Sequence, residues 1–153
     1  MDGRYEAEAR ANLLLCFWSG LSDRTEDLAS IRAEKPTKKD RLRFDMGVRG
    51  IALVAGVSEN IAWFEVRMKE GFKDPSVILD HADEFSRRTE CLFTPDKGGS
   101  RERRLLAEAL WDVRDVGSWE DIYDWYERML KISSMLCLKY CRRAGIVEAP
   151  GEG

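Results

Sequence analysis

The sequence has few of the residues that mark the simplest functional classes. It holds one histidine, four prolines and four cysteines among 153 residues, and its longest uninterrupted apolar run is Leu13–Trp18. A bilayer span needs about 18 consecutive apolar residues, so we expect no membrane association. The first residues also lack a basic stretch followed by an apolar one, which a secretory signal requires. The sequence therefore predicts a cytoplasmic protein.

What the chain does contain is the composition of a folded domain. Hydrophobic residues make up 44% of it and charged residues 35%, and there are five Trp, four Tyr and six Phe. Disordered chains lack this aromatic content, and the length suits one domain with its own core. We expect one α+β domain over residues 1–146 and a flexible tail over 147–153.

The charge is close to balanced overall but is unevenly distributed. The net charge is −3 and the isoelectric point is near 5.4, whereas dedicated polyanion-binding domains usually exceed a pI of 9. Residues 32–43 hold six basic and two acidic residues, a net +4, and residues 108–127 hold seven acidic residues and one basic, a net −6. The two segments are complementary, so a homodimer is one partner arrangement that the sequence predicts.

The cysteines do not form a recognisable metal site. Cys137 and Cys141 are four residues apart on a predicted helix and could supply two ligands from one face. Cys16, Cys91 and His81 are scattered and have no paired spacing. Buried free cysteine is the commoner role, so we expect reduced thiols, no metal and no cofactor.

The hydrophobic pattern changes period along the chain. With residues 101–113 counted as a strand and the short helix over 23–33 counted with the first helix, the element order is roughly α-β-β-β-α-β-β-α. Apolar residues at steps of three and four predict helices, and strict alternation predicts half-buried strands. The expected helices cover residues 4–21, 23–33, 74–88 and 118–145, and the expected strands cover 41–46, 51–57, 61–69 and 90–94. We therefore expect a two-layer α+β fold with an antiparallel meander of four to five strands packed against about three helices.

Residues 101–113 fit two structures. Leu105, Leu106, Ala109, Leu110 and Val113 have helical spacing, and alternate residues of the same segment have strand spacing. Intrinsic propensity favours the helix, because Ala, Leu, Glu and Arg predominate.

The element order and several short motifs resemble the bacterial domain of unknown function 4268. The motifs are Phe17-Trp18, Leu42-Arg43-Phe44, Phe64–Met68 and Ser118–Trp125. The resemblance covers roughly residues 4–145 and implies that 103–111 is a strand. That family often follows restriction-like nuclease domains and has no assigned active site, so the resemblance implies a setting in bacterial or phage defence or anti-defence and no catalytic residue.

Catalysis has little support in the sequence. A restriction-like nuclease needs an acid and an acid-x-Lys pair to hold Mg²⁺ and activate water. Glu65-Val66-Arg67 has Arg at the lysine position, with Asp45 as the candidate partner acid. His81 lies among carboxylates on the polar side of a predicted helix, and the nucleophile-elbow and phosphate-loop motifs are absent. A metal-dependent nuclease is thus a distant alternative.

The start of the last helix is the leading candidate for a protein partner. Trp119 and Tyr123 are four residues apart and lie away from the main apolar stripe, so they are expected to be exposed. Exposed aromatic residues beside acids suit an interface for a basic protein. The candidate partner-binding residues are Trp119, Glu120, Tyr123, Asp124 and Glu127. The competing interpretation is that Trp119 only packs the helix start onto the sheet.

Nucleic acid is the alternative partner, because clustered bases could neutralise several phosphates. The candidate residues are Lys35, Lys38, Lys39, Arg41, Arg43, Arg101, Arg103 and Arg104. Phe44 is the one aromatic residue we find among them, and alternation directs it inward, so stacking of bases is not expected. The sequence favours a non-catalytic protein-interaction or regulatory module, followed by an accessory nucleic-acid-binding domain.

Overall fold

The computed structural model describes residues 3–96 and 102–147. These residues form two layers, in which helices pack against one face of a six-stranded antiparallel sheet, as the α+β prediction expected. The helices are α1 (Gly3–Thr25), α2 (Ser76–Leu79), α3 (Ala82–Thr89) and α4 (Trp119–Arg143). The strands are β1 (Arg32–Ala33), β2 (Arg41–Asp45), β3 (Ile51–Ser58), β4 (Ile61–Met68), β5 (Thr94–Asp96) and β6 (Arg103–Leu110).

The sheet has the order β1-β2-β3-β4-β6-β5. The predicted meander is its centre, and β3 and β4 pair over their full lengths with Leu53 opposite Val66. Alternation sends Leu42, Phe44 and Phe64 into the helix-covered layer, where all three are buried. The short outer strands β1 and β5 limit pairing with other chains.

The helical layer is joined to the sheet by aromatic residues of α1 and α4. Phe17 and Trp18 are fully buried and contact Tyr126 of α4. Tyr126 Oη donates a hydrogen bond to the carbonyl oxygen of Gly56 in β3, and Trp18 Nε1 donates one to that of Lys39, before β2. Each large apolar side chain buried here contributes about 1.5 to 3 kcal/mol, so this cluster fixes α1 and α4 on the sheet.

Two predicted features of the first forty residues are wrong. The first helix continues past residue 21 to Thr25, and turns and β1 replace the remainder of the predicted second helix, residues 26–33. Ser30 has a φ of +69°, a left-handed conformation that directs the chain into β1. Pairing of Arg32 and Ala33 with β2 then supplies backbone hydrogen bonds that a helix would have made itself.

The middle helix and the following strand also differ from prediction. Residues 74–88 form two helices, α2 and α3, which are separated at Asp80 and His81. Asp74 Oδ1 accepts a hydrogen bond from the backbone N–H of Ser76, as expected of a residue that starts a helix. Glu90 has a φ of +60° and ends α3, so the strand predicted at 90–94 starts only at Thr94.

Residues 103–110 are a strand, as the resemblance implied and against helix propensity. Each residue of β6 pairs with β4, for example Ala107 with Phe64, and β5 adds three pairs on the other edge. Propensity differences among ordinary residues stay below about 0.7 kcal/mol each. Sheet pairing and burial of Leu105 and Ala107 outweigh them.

At the C-terminal end, Ile146 packs against the core, and so does Val147, the first residue of the predicted tail over 147–153. The remainder of that predicted tail, 148–153, lies outside the described residues. None of the helices in the described ranges has the length and apolar content to cross a bilayer.

Candidate functional site

The two aromatic residues of the candidate partner site are packed against α1. Tyr123 is only 5% exposed, and its hydroxyl donates a hydrogen bond to the carbonyl oxygen of Phe17 at 2.7 Å. Trp119 is half-buried, stacks edge-on against Phe17 and donates from Nε1 to the carbonyl oxygen of Val113. The expectation that Tyr123 is exposed is therefore wrong, because the stripe of α4 that packs on α1 includes it.

The acidic members of the same candidate site do reach the surface, where they surround Arg24 of α1. Arg24 contacts Glu120 at 2.9 Å and Glu127 at 3.2 Å, and it also pairs with Asp124. The side chains of Glu120 and Asp124 are 82% and 64% exposed. One guanidinium thus fixes three carboxylates and neutralises the charge of one.

We call this surface the Arg24 patch. It comprises Arg24, Asp23, Glu26, Asp27, Glu120, Asp121, Asp124 and Glu127. These seven acidic residues and one basic residue sum to −6, and Glu127 is also paired with Lys131 at 3.0 Å. All its acids except the half-buried Glu127 are exposed, so the patch combines a defined geometry at its centre with uncompensated negative charge around it.

The basic segment, residues 32–43, spans β1, the β1–β2 loop and the first three residues of β2. Lys35, Lys38 and Lys39 lie in the loop, are exposed, and form no ion pair with the described residues. Arg41 pairs with Asp40 at 3.1 Å, and Arg43 pairs with Glu34 at 3.8 Å. Both pairs are internal to the segment, so its net charge of +4 is available to a partner.

The structure does not bring the other predicted nucleic-acid residues to this segment. Arg103 and Arg104 are in β6, three strands away from β2, which corresponds to about 14 Å at ordinary strand spacing. Arg103 also lies on the opposite face of the sheet from Arg104, because neighbours in a strand alternate. Arg101 lies outside the described residues.

Arg104 is instead part of an ion-pair network around Glu65. Glu65 is 0% exposed although no described helix covers its face of the sheet. Its Oε2 accepts a hydrogen bond from Arg104 at 2.8 Å, and its Oε1 is paired with Arg67 without hydrogen-bond geometry. Arg104 also donates to Asp96 at 2.7 Å, so the network joins β4, β6 and β5.

This arrangement differs from the one a nuclease site would need. Glu65 is enclosed by two guanidinium groups, and β3 separates it from Asp45 in β2. Asp45 accepts a hydrogen bond from the backbone N–H of Gly47 and so shapes the β2–β3 turn. Within residues 3–96 and 102–147, no three His, Cys, Asp or Glu side chains come together as a metal site.

His81, Cys137 and Cys141 pack within the helical layer. The His81 ring stacks on Tyr140 with 3.6 Å between centroids, at the junction of α2 and α4. Cys137 and Cys141 are free and buried, and burial raises the pKa of both thiols. Cys16 is exposed and Cys91 is half-buried.

A groove of about 990 Å³ separates the first turns of α1 from the β3–β4 turn. Its charged lining residues are Glu6, Arg10, Glu59, Asp112 and Arg114. Hydrogen bonds from Arg114 lower the pKa of Asp112 to about 2. The opposite charges nearly cancel, so the groove favours neither an anion nor a cation.

Trp63 is the residue that sequence reasoning missed. It lies on the face of β4 that no described helix covers, together with Glu65 and Arg67, opposite Gly56 of β3 and Glu108 of β6. The alternation that sent Phe64 inward already placed Trp63 outward, so the signal was present in the sequence. Its neighbour across β3 is Arg41, whose guanidinium carbon is 5.5 Å from the indole centroid.

Comparisons with known proteins add no name to this fold. No family model matches the chain, and neither a curated protein nor a solved structure matches it. The resemblance to the domain of unknown function 4268 stays a prediction.

Proposed function

We propose that the chain is a non-catalytic protein-interaction module, and that the partner of its Arg24 patch is the basic segment of a second copy. The observation that carries this proposal is the separation of charge into two exposed surfaces. Three carboxylates of the patch are paired with Arg24, and the ion pairs of the basic segment among the described residues are all internal to it.

The two surfaces carry opposite net charges, as a contact between two copies requires. None of the ion pairs among the described residues joins the basic segment to the Arg24 patch, so both keep their charge in the monomer. In a twofold dimer the same two surfaces meet twice, and the arrangement closes without leaving a free end. Such a contact would be strengthened at low ionic strength, where exposed charges are least screened.

Sedimentation velocity of the purified protein tests this directly. At about 50 mM NaCl we expect a species of twice the 17.6 kDa chain mass, and at about 500 mM NaCl we expect the monomer. The charge reversals Lys38→Glu and Lys39→Glu, made together, should abolish the dimer. So should Glu26→Lys with Asp121→Lys, which leaves the three carboxylates bound to Arg24 intact.

Mixing the two variants is the decisive arm, because a mixed dimer has one contact with the native charges, net +4 against net −6, and neither variant alone has such a contact. We expect the mixture to form a dimer that neither variant forms alone. Lys73→Glu and Glu59→Lys, which are exposed and outside both surfaces, serve as matched controls and should dimerise as the unmodified chain does. A protein that stays monomeric at about 100 µM and low salt, or a mixture that stays monomeric, would refute the proposal.

A further inference from the structure

The Trp63 indole lies flat on the uncovered face of the sheet. A Cβ at Gly56 would overlap the indole, so the ring lies directly against the β3 backbone at that glycine. The ring is half-buried and therefore keeps part of its surface in solvent. A ring held in this way loses little side-chain freedom when another planar group stacks on it.

Cations border this ring on one side. Arg41 lies over the indole at a distance typical of a cation–π contact, and Arg43 is next but one on the same face of β2. Lys38 and Lys39 directly precede Asp40, at the start of β2, and are exposed. The aromatic ring, Arg41 and Arg43 thus lie on one surface from β4 across β3 to β2, and Lys38 and Lys39 are in the adjoining β1–β2 loop.

The other side of the ring is acidic. Glu108 of β6 is directly opposite Trp63 in the register and is exposed. Beyond it, the positive charges of Arg67 and Arg104 are matched by Glu65 and Asp96. An anionic ligand on Trp63 is therefore directed toward β2 and the loop, away from β6.

We propose that Trp63 and the basic segment form a binding site for single-stranded nucleic acid. One base stacks on the part of the indole that Arg41 leaves exposed, and the adjoining phosphates lie along Arg41, Arg43, Lys38 and Lys39. Aromatic stacking combined with a basic track is how proteins bind single strands without reading sequence. A duplex keeps its bases stacked inside the helix and offers no free base to Trp63. An acidic polypeptide lacks a base altogether.

The site is separate from the Arg24 patch, but it shares the basic segment with the proposed dimer contact. A single strand would thus compete with the second copy for Lys38 and Lys39. The two proposals can fail separately, because Trp63 has no part in the dimer contact and Glu26 and Asp121 have no part in strand binding.

Fluorescence anisotropy with three labelled probes tests the site. The probes are an oligothymidine of about 15 nucleotides, a duplex of the same length and a polyglutamate peptide. We expect the single strand to bind most tightly. Three or four phosphate contacts should weaken its binding about 20- to 50-fold between about 50 and 200 mM salt.

Substitutions separate stacking from charge. Trp63→Leu should weaken single-strand binding about 5- to 150-fold and leave the salt dependence unchanged, as expected for the loss of one stacked base. Trp63→Phe keeps a ring and should retain most of the binding, which also guards against a folding defect in the leucine variant. Lys38→Glu with Lys39→Glu should lower both affinity and salt dependence, and the exposed Lys73→Glu should change neither.

Three results would overturn the proposal. The first is no binding of the oligothymidine at about 100 µM protein and 50 mM salt. The second is a duplex bound as tightly as the single strand, with Trp63→Leu having no effect on either probe. The third is polyglutamate bound as tightly as the oligothymidine, which would make the surface a general anion site.

Discussion

The hydroxyl of Tyr123 donates a hydrogen bond to the backbone carbonyl oxygen of Phe17, with 2.7 Å between the two oxygens. This bond connects the start of α4 to the middle of α1. The same hydroxyl lies against Gly20, which is three residues after Phe17 on α1. A Cβ at position 20 would overlap the Tyr123 hydroxyl. Gly20 therefore lets the two helices approach closely and does not end the helix that contains it.

Gly20→Ala should destabilise the fold although alanine is the better helix former. The gain in helix propensity is about 1 kcal/mol, and forcing a methyl group into a packed contact costs about 1 to 3 kcal/mol. We expect a lower free energy of unfolding in urea, by about 1 kcal/mol. In the Tyr123→Phe background the overlapping oxygen is gone and the loss should shrink. Strictly additive effects of the two changes would contradict this packing.

Ionisation of Tyr123 should also lower the free energy of unfolding at alkaline pH. Burial raises the pKa of Tyr123 from 10.0 to about 12. The folded state holds the Tyr123 hydroxyl proton more tightly than the unfolded state does. The stability contributed by the protonated hydroxyl is therefore complete below pH 10 and is lost as the pH rises through about 12. Tyr123→Phe should therefore lose stability less steeply over that range. The test is urea unfolding at several pH values, and parallel pH profiles for the two proteins would show that Tyr123 ionises freely.

Arg104→Met should be costly, because it leaves the buried Glu65 with Arg67 as its remaining partner. We expect a loss of about 2 to 3 kcal/mol in the free energy of unfolding, since an undercompensated charge is left in the sheet. Arg114→Met breaks an exposed pair with Asp112 and is the matched control, with a much smaller expected loss because solvent screens that pair.

The double variant Glu65→Met with Arg104→Met tests the cause of that loss. It removes the buried charge together with its partner, so part of the stability should return. If Arg104→Met and Arg114→Met cost the same, the network around Glu65 would contribute no more than a surface ion pair.

The thiols should react in the order of their exposure. Cys16 is exposed, whereas burial raises the pKa of Cys137 and Cys141 and shields both from reagents. We expect iodoacetamide to modify Cys16 first in the folded protein and the two α4 cysteines only in denaturant. Peptide mass spectrometry over a time course measures each site. Equal rates for Cys16 and Cys137 would mean that α4 opens readily in the native state.

The parts of the candidate site differ in how far the sequence predicts them. The charge of the basic segment and of the acidic helix is local information, and both remain at the surface in the fold. That Arg24 lies among the acids of α4 could not be predicted, because about 100 residues separate them and the contact depends on how α1 crosses α4. Its charge alone groups Arg104 with the basic segment, whereas the strand order places it beside Glu65.

By itself the sequence determined the α+β class, the central meander and the long last helix, because hydrophobic period and helix-end signals are local properties of the chain. Tertiary structure alone decided that 103–110 is a strand, that Tyr123 is buried and that Glu65 is enclosed by Arg67 and Arg104. Each of these depends on partners distant in sequence, whose pairing and burial energies exceed the small differences in local propensity. Trp63 lies between the two cases. Alternation placed it on the outer face, and only the sheet order brought Gly56 beneath it and Arg41 beside it.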